Sequence, residues 1–197
     1  MPNLSQNLVL PRCPHCAIAS PLLNRVHHFD TNNHEGTAPR KWAIYVCGSC
    51  GGVISACAAN HNKPILAFYP SAIEVNTEIP NRPRAFLQQA QESLHAPAGA
   101  VMLSASAVDA MLKIKGYTEG SLYLRIEKAV EDHLITNEMA TWAHEVRLDA
   151  NDQRHADQAA TLPTQQDATR VIEFASALAE FLFVLPSRIQ RGLQANG

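Results

Sequence analysis

Two short cysteine motifs constrain this chain more than any other feature of its sequence. The stretch CPHC occupies residues 13–16, and CGSC occupies residues 47–50. Two residues between paired cysteines let a tight turn point both sulfur atoms at one ion, and two such pairs are typical of a four-cysteine zinc site. We predict one zinc ion per chain, with a structural role because four thiolates leave no open coordination position. The predicted ligands are Cys13, Cys16, Cys47 and Cys50.

The alternatives for these cysteines are a redox pair or unrelated buried thiols. A redox pair needs only one Cys-x-x-Cys motif, usually in a βαβ setting that is absent from this sequence. Structural disulfides are rare where the compartment is reducing. We therefore favour metal binding.

The residues around the second motif predict β-strands. KWAIYVC (41–47) and GGVISAC (51–57) are rich in β-branched and aromatic residues, and ILAFYP (65–70) predicts one more strand. Strand, cysteine turn and strand together predict a small zinc ribbon over residues 1–72. Cys57 is expected in the core of the ribbon, and His15 is expected to point away from the metal.

Three histidines fall in a polar stretch before these strands. His27, His28 and His34 accompany two asparagines and a glycine. We expect a solvated loop here, with a second metal site as the alternative.

The second part of the chain, residues 73–197, predicts about five helices. The expected helices cover residues 84–95, 98–115, 121–133, 136–148 and 164–185. Thr136 is a good N-cap, TQQD at 164–167 resembles a capping box, and Pro186 is expected to end the last helix. Asp149, Asn151 and Asp152 are poor helix formers and are expected to break the fourth helix. The predicted fold class is α+β but mostly α, a zinc ribbon followed by a helical bundle.

Charge and hydropathy limit the classes of function. The net charge is −2, so any nucleic-acid site must be local and not a broadly basic surface. No apolar run approaches the roughly 20 residues that span a bilayer, and the N-terminus is not typical of a signal peptide. We expect a cytoplasmic protein without a membrane partner.

Four stretches together resemble the bacterial family called domain of unknown function 4145. They are CPHC with WAIYVCGSCGGVI, YPSAIEVNTEIPNRPRAFLQQAQESL, APAGAVMLSASAVDAMLKIKGY and ITNEMATWAHEVRLDANDQRHA. This family resembles a branch of the HEPN superfamily, which consists of small helical bundles, often homodimeric, found with defence, toxin and restriction systems. The resemblance implies a HEPN-like bundle over residues 73–197. It also implies either a metal-independent ribonuclease or a binding module that has lost activity.

The family pattern, when carried over, places a catalytic set at Arg147, Asn151 and His155. A histidine can exchange the 2′-OH proton at neutral pH, and an arginine can stabilise the charged phosphorane. On an unbroken helix, eight residues rise about 12 Å, so Arg147 and His155 converge only if the helix breaks or two subunits combine their pairs. The alternative is an Arg147 that pairs with a nearby aspartate at a helix end and a His155 in a solvated loop.

Two hypotheses for the function follow. The first is a nucleic-acid-associated protein, a metal-independent endoribonuclease acting on RNA and linked to phage or stress defence. The second is a non-enzymatic dimeric scaffold that recruits a protein partner. The small residues of 98–107 suggest a homodimer through close helix packing, with packing inside one bundle as the alternative.

Overall fold

The chain forms two compact units in the computed structural model, which describes residues 2–71, 75–155 and 161–194. The first unit is Met1–Ile73, here called the sheet unit, and the second is Glu74–Gly197, here called the helical unit. Each unit has its own cluster of buried apolar side chains.

The sheet unit contains one antiparallel sheet of five strands, which lie side by side in chain order. Their bounds are β1 Asn7–Leu8, β2 Leu23–Thr31, β3 Arg40–Cys47, β4 Val53–Ala58 and β5 Ile65–Tyr69. Successive side chains of a strand point to opposite faces. Ala43, Tyr45 and Cys47 of β3 are therefore buried on one face, while Trp42 and Ile44 lie on the other.

The predicted fold class is wrong. We expected a small zinc ribbon followed by a HEPN-like bundle that makes the chain mostly helical. The N-terminal half instead holds a five-stranded antiparallel sheet, and helices follow it.

The error has its physical origin in β2. We expected a loop around the histidines, but Leu23–Thr31 is a nine-residue strand that pairs with β3 along its length. Every residue of β2 after Arg25 is exposed, so the alternation that identifies a half-buried strand is missing. Hydrogen bonds to β3 keep this segment extended, and they leave no local signal in its sequence.

The described residues of the helical unit form six α-helices. Their bounds are α1 Asn81–Glu92, α2 Pro97–Ile114, α3 Leu122–Glu131, α4 Asn137–His155, α5 Gln165–Ala179 and α6 Leu185–Gln194. A π-helical segment, Glu180–Val184, joins α5 to α6.

Helix α2 is the central element of this unit. It packs against α1, α3, α4 and α5. Its small residues Ala100, Ala105 and Ala107 are buried there, so the face that suggested a dimer contact packs inside one bundle.

Helix α2 is also long and apolar enough, by length and composition, to cross a bilayer. Half of it is buried inside the protein, and the core helix of a soluble protein meets the same criteria. This one helix is weak evidence for a membrane span, and the chain is not clearly a membrane protein.

Two predicted helix starts are confirmed, and two predicted ends are wrong. Thr136 Oγ1 accepts the Met139 N–H at 3.3 Å, and Thr164 forms a reciprocal capping box with Asp167. Helix α4 continues past the expected break to His155, because its apolar face, including Ala150, is buried against the core and outweighs low helix propensity.

Pro186 does not end a helix but is the second residue of α6. In the π-helical segment before it, the Leu185 N–H donates to the Glu180 carbonyl, five residues back. Pro186 has no backbone N–H to donate to the preceding π-helical turn, so the helical run continues through it with one hydrogen bond fewer.

Candidate metal centre

The two cysteine motifs fold into two turns with the same hydrogen bonds. The Ala17 N–H donates to the Cys13 carbonyl at 2.9 Å, and the Gly51 N–H donates to the Cys47 carbonyl at 2.8 Å. The residue after the second cysteine has a positive φ in both turns, 58° at Ala17 and 72° at Gly51. Glycine adopts this conformation freely, whereas alanine is strained in it.

These turns bring the four predicted ligands together. The Sγ atoms of Cys13, Cys16, Cys47 and Cys50 all lie within 4.8 Å of one another. A tetrahedron of sulfurs around an ion, with bonds of about 2.3 Å, has edges of about 3.8 Å. The separation of the Cys13 and Cys50 sulfurs, 3.9 Å, fits that shape. The cluster could hold one metal ion.

Backbone N–H groups point at the sulfur atoms. The His15 N–H donates to Cys13 Sγ and the Gly52 N–H to Cys50 Sγ, both at 3.4 Å. Such bonds stabilise thiolates, the form of cysteine that binds metals.

Three of the thiols have shifted pKa values. Desolvation raises the pKa of Cys13, and it raises the pKa of Cys50 to about 12, helped by the neighbouring thiols. Desolvation also acts to raise the pKa of Cys47, but the backbone N–H groups of Cys50 and Ser49 outweigh it and lower this pKa to about 7. Cys47 is therefore the most readily ionised of these three thiols, and metal binding would have to displace the protons of Cys13 and Cys50.

His15 connects the two turns from outside the cluster. Its Nε2 lies 2.8 Å from the Val53 carbonyl oxygen, so the ring points away from the sulfurs as predicted. A Cβ atom built on Gly52 would lie 2.5 Å from His15 Cδ2. The ring therefore packs directly on the Gly52 backbone, which a glycine at this position permits.

Other predicted features of the sheet unit have different outcomes. Cys57 is fully buried in β4, as predicted, and does not belong to the sulfur cluster. His27 and His28 lie in β2 and not in a loop, whereas His34 lies in the turn that follows. Among the described residues, the four cysteines form the only group of three or more metal-ligating side chains.

The three residues predicted for catalysis lie on one continuous helix, α4. Arg147 and His155 are eight residues apart, which corresponds to a rise of about 12 Å. Asn151 is exposed between them, and the side chain of His155 lies outside the described part of the structure. Helix α4 alone therefore does not bring Arg147 and His155 together.

Among the described residues, Arg147 has an aromatic partner and forms no ion pair. Its Cζ lies 5.4 Å from the ring centroid of Tyr123 on α3. Asp149, one of the two candidate aspartates with Asp152, lies 4.0 Å from Arg170 instead. Sequence analysis missed His144, one turn before Arg147, whose Nε2 lies 2.8 Å from a carboxylate oxygen of Glu127.

Sequence analysis also missed a set of aromatic side chains in the sheet unit. Phe29, Trp42 and Tyr69 come from three strands, and their rings form a continuous row. The alternation within KWAIYVC does place Trp42 on the face opposite Ala43 and Tyr45. The row itself requires the strand pairing, which the sequence did not show.

Comparison with known proteins gives one match. The family model described as "Domain of unknown function (DUF4145)" matches residues 88–195, more than half of the chain. No curated protein and no solved structure matches the sequence.

Proposed function

The chain belongs to the DUF4145 family, and on that premise we propose that this member is a non-enzymatic dimeric scaffold that recruits a protein partner. The observation that carries the proposal is an exposed apolar stripe on α6. We call Leu185, Ile189 and Leu193 the α6 stripe.

The α6 stripe follows a helical repeat of four residues. The exposed fractions of the three residues are 44%, 55% and 73%, and no residue of α6 is buried. Residues four apart lie on one side of a helix, so the three side chains form one continuous surface. A stripe of this kind is normally covered by another element.

Ion pairs fix the polar side of α6. Arg188 lies 3.3 Å from Glu180, and Arg191 lies 2.6 Å from Glu78, which precedes α1. These contacts hold α6 against its own unit while the stripe stays accessible.

A second copy of the chain is the occupant we propose. Two stripes packed about a two-fold axis would bury six large side chains, each contributing about 1–2 kcal/mol. That gain, on the order of 10 kcal/mol, is partly offset by the entropy of association. We therefore expect a dimer that forms in the micromolar range.

The position of Arg147 also favours a scaffold over a ribonuclease. The unbroken α4 separates Arg147 from His155, and the Arg147 guanidinium packs over Tyr123. Catalysis by this pair would require a rearranged helix or a second subunit that supplies its own α4, whereas the proposed dimer forms through α6.

We further propose that zinc is the ion held by the four cysteines and that the protein is cytoplasmic. Four thiolates are a ligand set suited to zinc, and a reducing compartment keeps them free of disulfides. The ion would hold the two cysteine turns of the sheet unit together and take no part in a reaction.

Light scattering of purified protein tests the dimer. We expect a mass near twice 21.5 kDa for the wild-type chain and near 21.5 kDa for Ile189→Glu. Leu148→Glu is the matched control, because Leu148 is similarly exposed but lies on α4. A wild-type monomer at micromolar concentration would refute the dimeric scaffold.

Incubation with total cellular RNA tests the absence of catalysis. We expect no cleavage by the wild-type chain. RNA cleavage that persists in EDTA and disappears in Arg147→Ala would establish the ribonuclease instead.

A further inference from the structure

The row of aromatic side chains lies on the face of the sheet opposite its core. We call Phe29, Trp42 and Tyr69 the aromatic face. The ring centroids of Phe29 and Trp42 are 6.2 Å apart, with planes 5° from parallel, and those of Trp42 and Tyr69 are 6.4 Å apart, with planes at 27°. His27 extends the row, since its ring lies 6.1 Å from that of Phe29.

The aromatic face is accessible. Phe29 and Tyr69 expose 42% and 55% of their surface. Tyr45 and Ile54, which belong to the main apolar core of the sheet unit, lie on the opposite face. Two exposed rings that flank the half-buried ring of Trp42 form more than the scattered apolar residues of an ordinary surface, and such patches mark binding sites.

The charges around the rings favour an anionic ligand. Asp30 is the only carboxylate in the five strands, and it faces away from the rings and pairs with Lys41. Arg40, two residues before Trp42, lies on the ring side of β3 and is exposed. Among the described residues it has no salt-bridge partner.

The charges are also divided unevenly between the two units. Residues 1–73 contain five Lys and Arg against two Asp and Glu, whereas residues 74–197 contain eleven against sixteen. The sheet unit is therefore the part of the chain that attracts anions, although four thiolates and one divalent ion would lower its charge from +3 to about +1. The expected electrostatic contribution is correspondingly local and small.

We propose that the aromatic face binds single-stranded nucleic acid. Bases stack on aromatic rings irrespective of sequence, and a row of this size accommodates two or three of them. Arg40 at the edge of the row would contact a phosphate. Duplexes are excluded because their bases are already stacked and paired. This inference extends beyond the scaffold, and it concerns a different unit from the α6 stripe, so either can fail without the other.

Fluorescence anisotropy with labelled oligouridine and oligothymidine tests the proposal on the full chain. We expect binding of the single strands and much weaker binding of a duplex of matched length. Phe29→Leu and Tyr69→Leu keep apolar volume but remove a ring, and each should weaken binding at least about fivefold. Arg40→Gln should weaken binding and lower the slope of log affinity against log salt by about one.

Leu66→Ala is the matched control, because Leu66 is 63% exposed on β5 but makes no ring contact. It should bind like the wild type. In a Trp142→Phe background, Trp42 is the only tryptophan. Quenching of its emission then reports binding without any change to the aromatic face. Circular dichroism confirms that each variant is folded.

Three results would overturn the proposal. They are the absence of binding together with an unquenched Trp42, equal affinity for single strands and duplexes, and ring variants that bind like the wild type. If the ring variants instead change only the mass measured by light scattering, the aromatic face is a protein interface.

Discussion

The contact between Gly52 and His15 makes a sharp prediction about the cysteine turns. A Cβ atom at position 52 would lie 2.5 Å, 2.6 Å and 2.9 Å from the Cδ2, Cγ and Cβ atoms of His15. Such distances are not compatible with the present position of the ring. Gly52→Ala must therefore displace His15 and break its hydrogen bond to the Val53 carbonyl.

The size of the effect follows from those two losses. Overpacking of this kind costs about 1–3 kcal/mol, and the lost hydrogen bond costs about 1 kcal/mol. We expect Gly52→Ala to destabilise the sheet unit by about 3 kcal/mol. The neighbouring Gly51 has nothing within 4 Å of its built Cβ but has φ of 72°, so Gly51→Ala should cost only the backbone strain, about 1–2 kcal/mol.

Removal of the His15 side chain distinguishes the steric clash at position 52 from the backbone strain at position 51. His15→Gly should cost about 2 kcal/mol by itself, from the lost hydrogen bond and the added backbone freedom. The double variant with Gly52→Ala should cost little more, because the steric contact is gone. The same His15→Gly change should add its full cost to Gly51→Ala.

Urea unfolding monitored by Trp42 emission measures these free energies. A Trp142→Phe background restricts the signal to the sheet unit. If His15→Gly fails to rescue Gly52→Ala, or if it rescues Gly51→Ala equally, the steric argument is refuted.

Four further predictions concern other positions. Elemental analysis should find about one metal ion per chain. Cys47→Ser should lose the metal, and separate unfolding probes should show that it destabilises the sheet unit more than the helical unit. Ala17→Gly should raise the free energy of unfolding of the sheet unit slightly, by about 0.5 kcal/mol, because relief of the strain at φ 58° exceeds the added freedom of the unfolded chain. Thr164→Ala should destabilise α5 by about 1 kcal/mol through loss of the N-cap. The Thr164 backbone N–H and hydroxyl lower the pKa of Asp167. The stabilisation that the Asp167 carboxylate provides is therefore complete above its unfolded pKa of about 4, and it is lost as the pH falls through the lower folded pKa. Asp167→Asn should remove that part of the acid dependence in a pH series of thermal melts.

The cysteine cluster shows how much of a site the sequence can predict. The spacing CPHC and CGSC is local chemistry, since two residues between ligands dictate a turn that points both sulfurs the same way. The sequence thus identified all four cysteines that the structure brings together. The His15 and Gly52 contact depends on how the two turns face each other, and no local pattern encodes it.

The helix boundaries also divide into those that the sequence predicted and those that it did not. Caps are local, because Thr136 and Thr164 bond to N–H groups three residues ahead, and both were predicted. We did not predict that α4 continues past Asp149 or that a helix continues past Pro186. Burial of Ala150 and the π-helical segment decide these outcomes, and both arise from packing against distant residues.

The sequence by itself determined the cysteine turns, the starts of α4 and α5 and the apolar periodicity of the helical unit, because each depends on residues within one or two turns of chain. Tertiary structure decided the rest. Pairing with β3 made β2 a strand although its residues after Arg25 are all exposed, and packing around α2 buried the small-residue face that suggested a dimer. Register between strands aligned Phe29, Trp42 and Tyr69 on one face. Hydrogen bonds and contacts between residues far apart in the chain stabilise these features, so their free energy is absent from any short stretch of sequence.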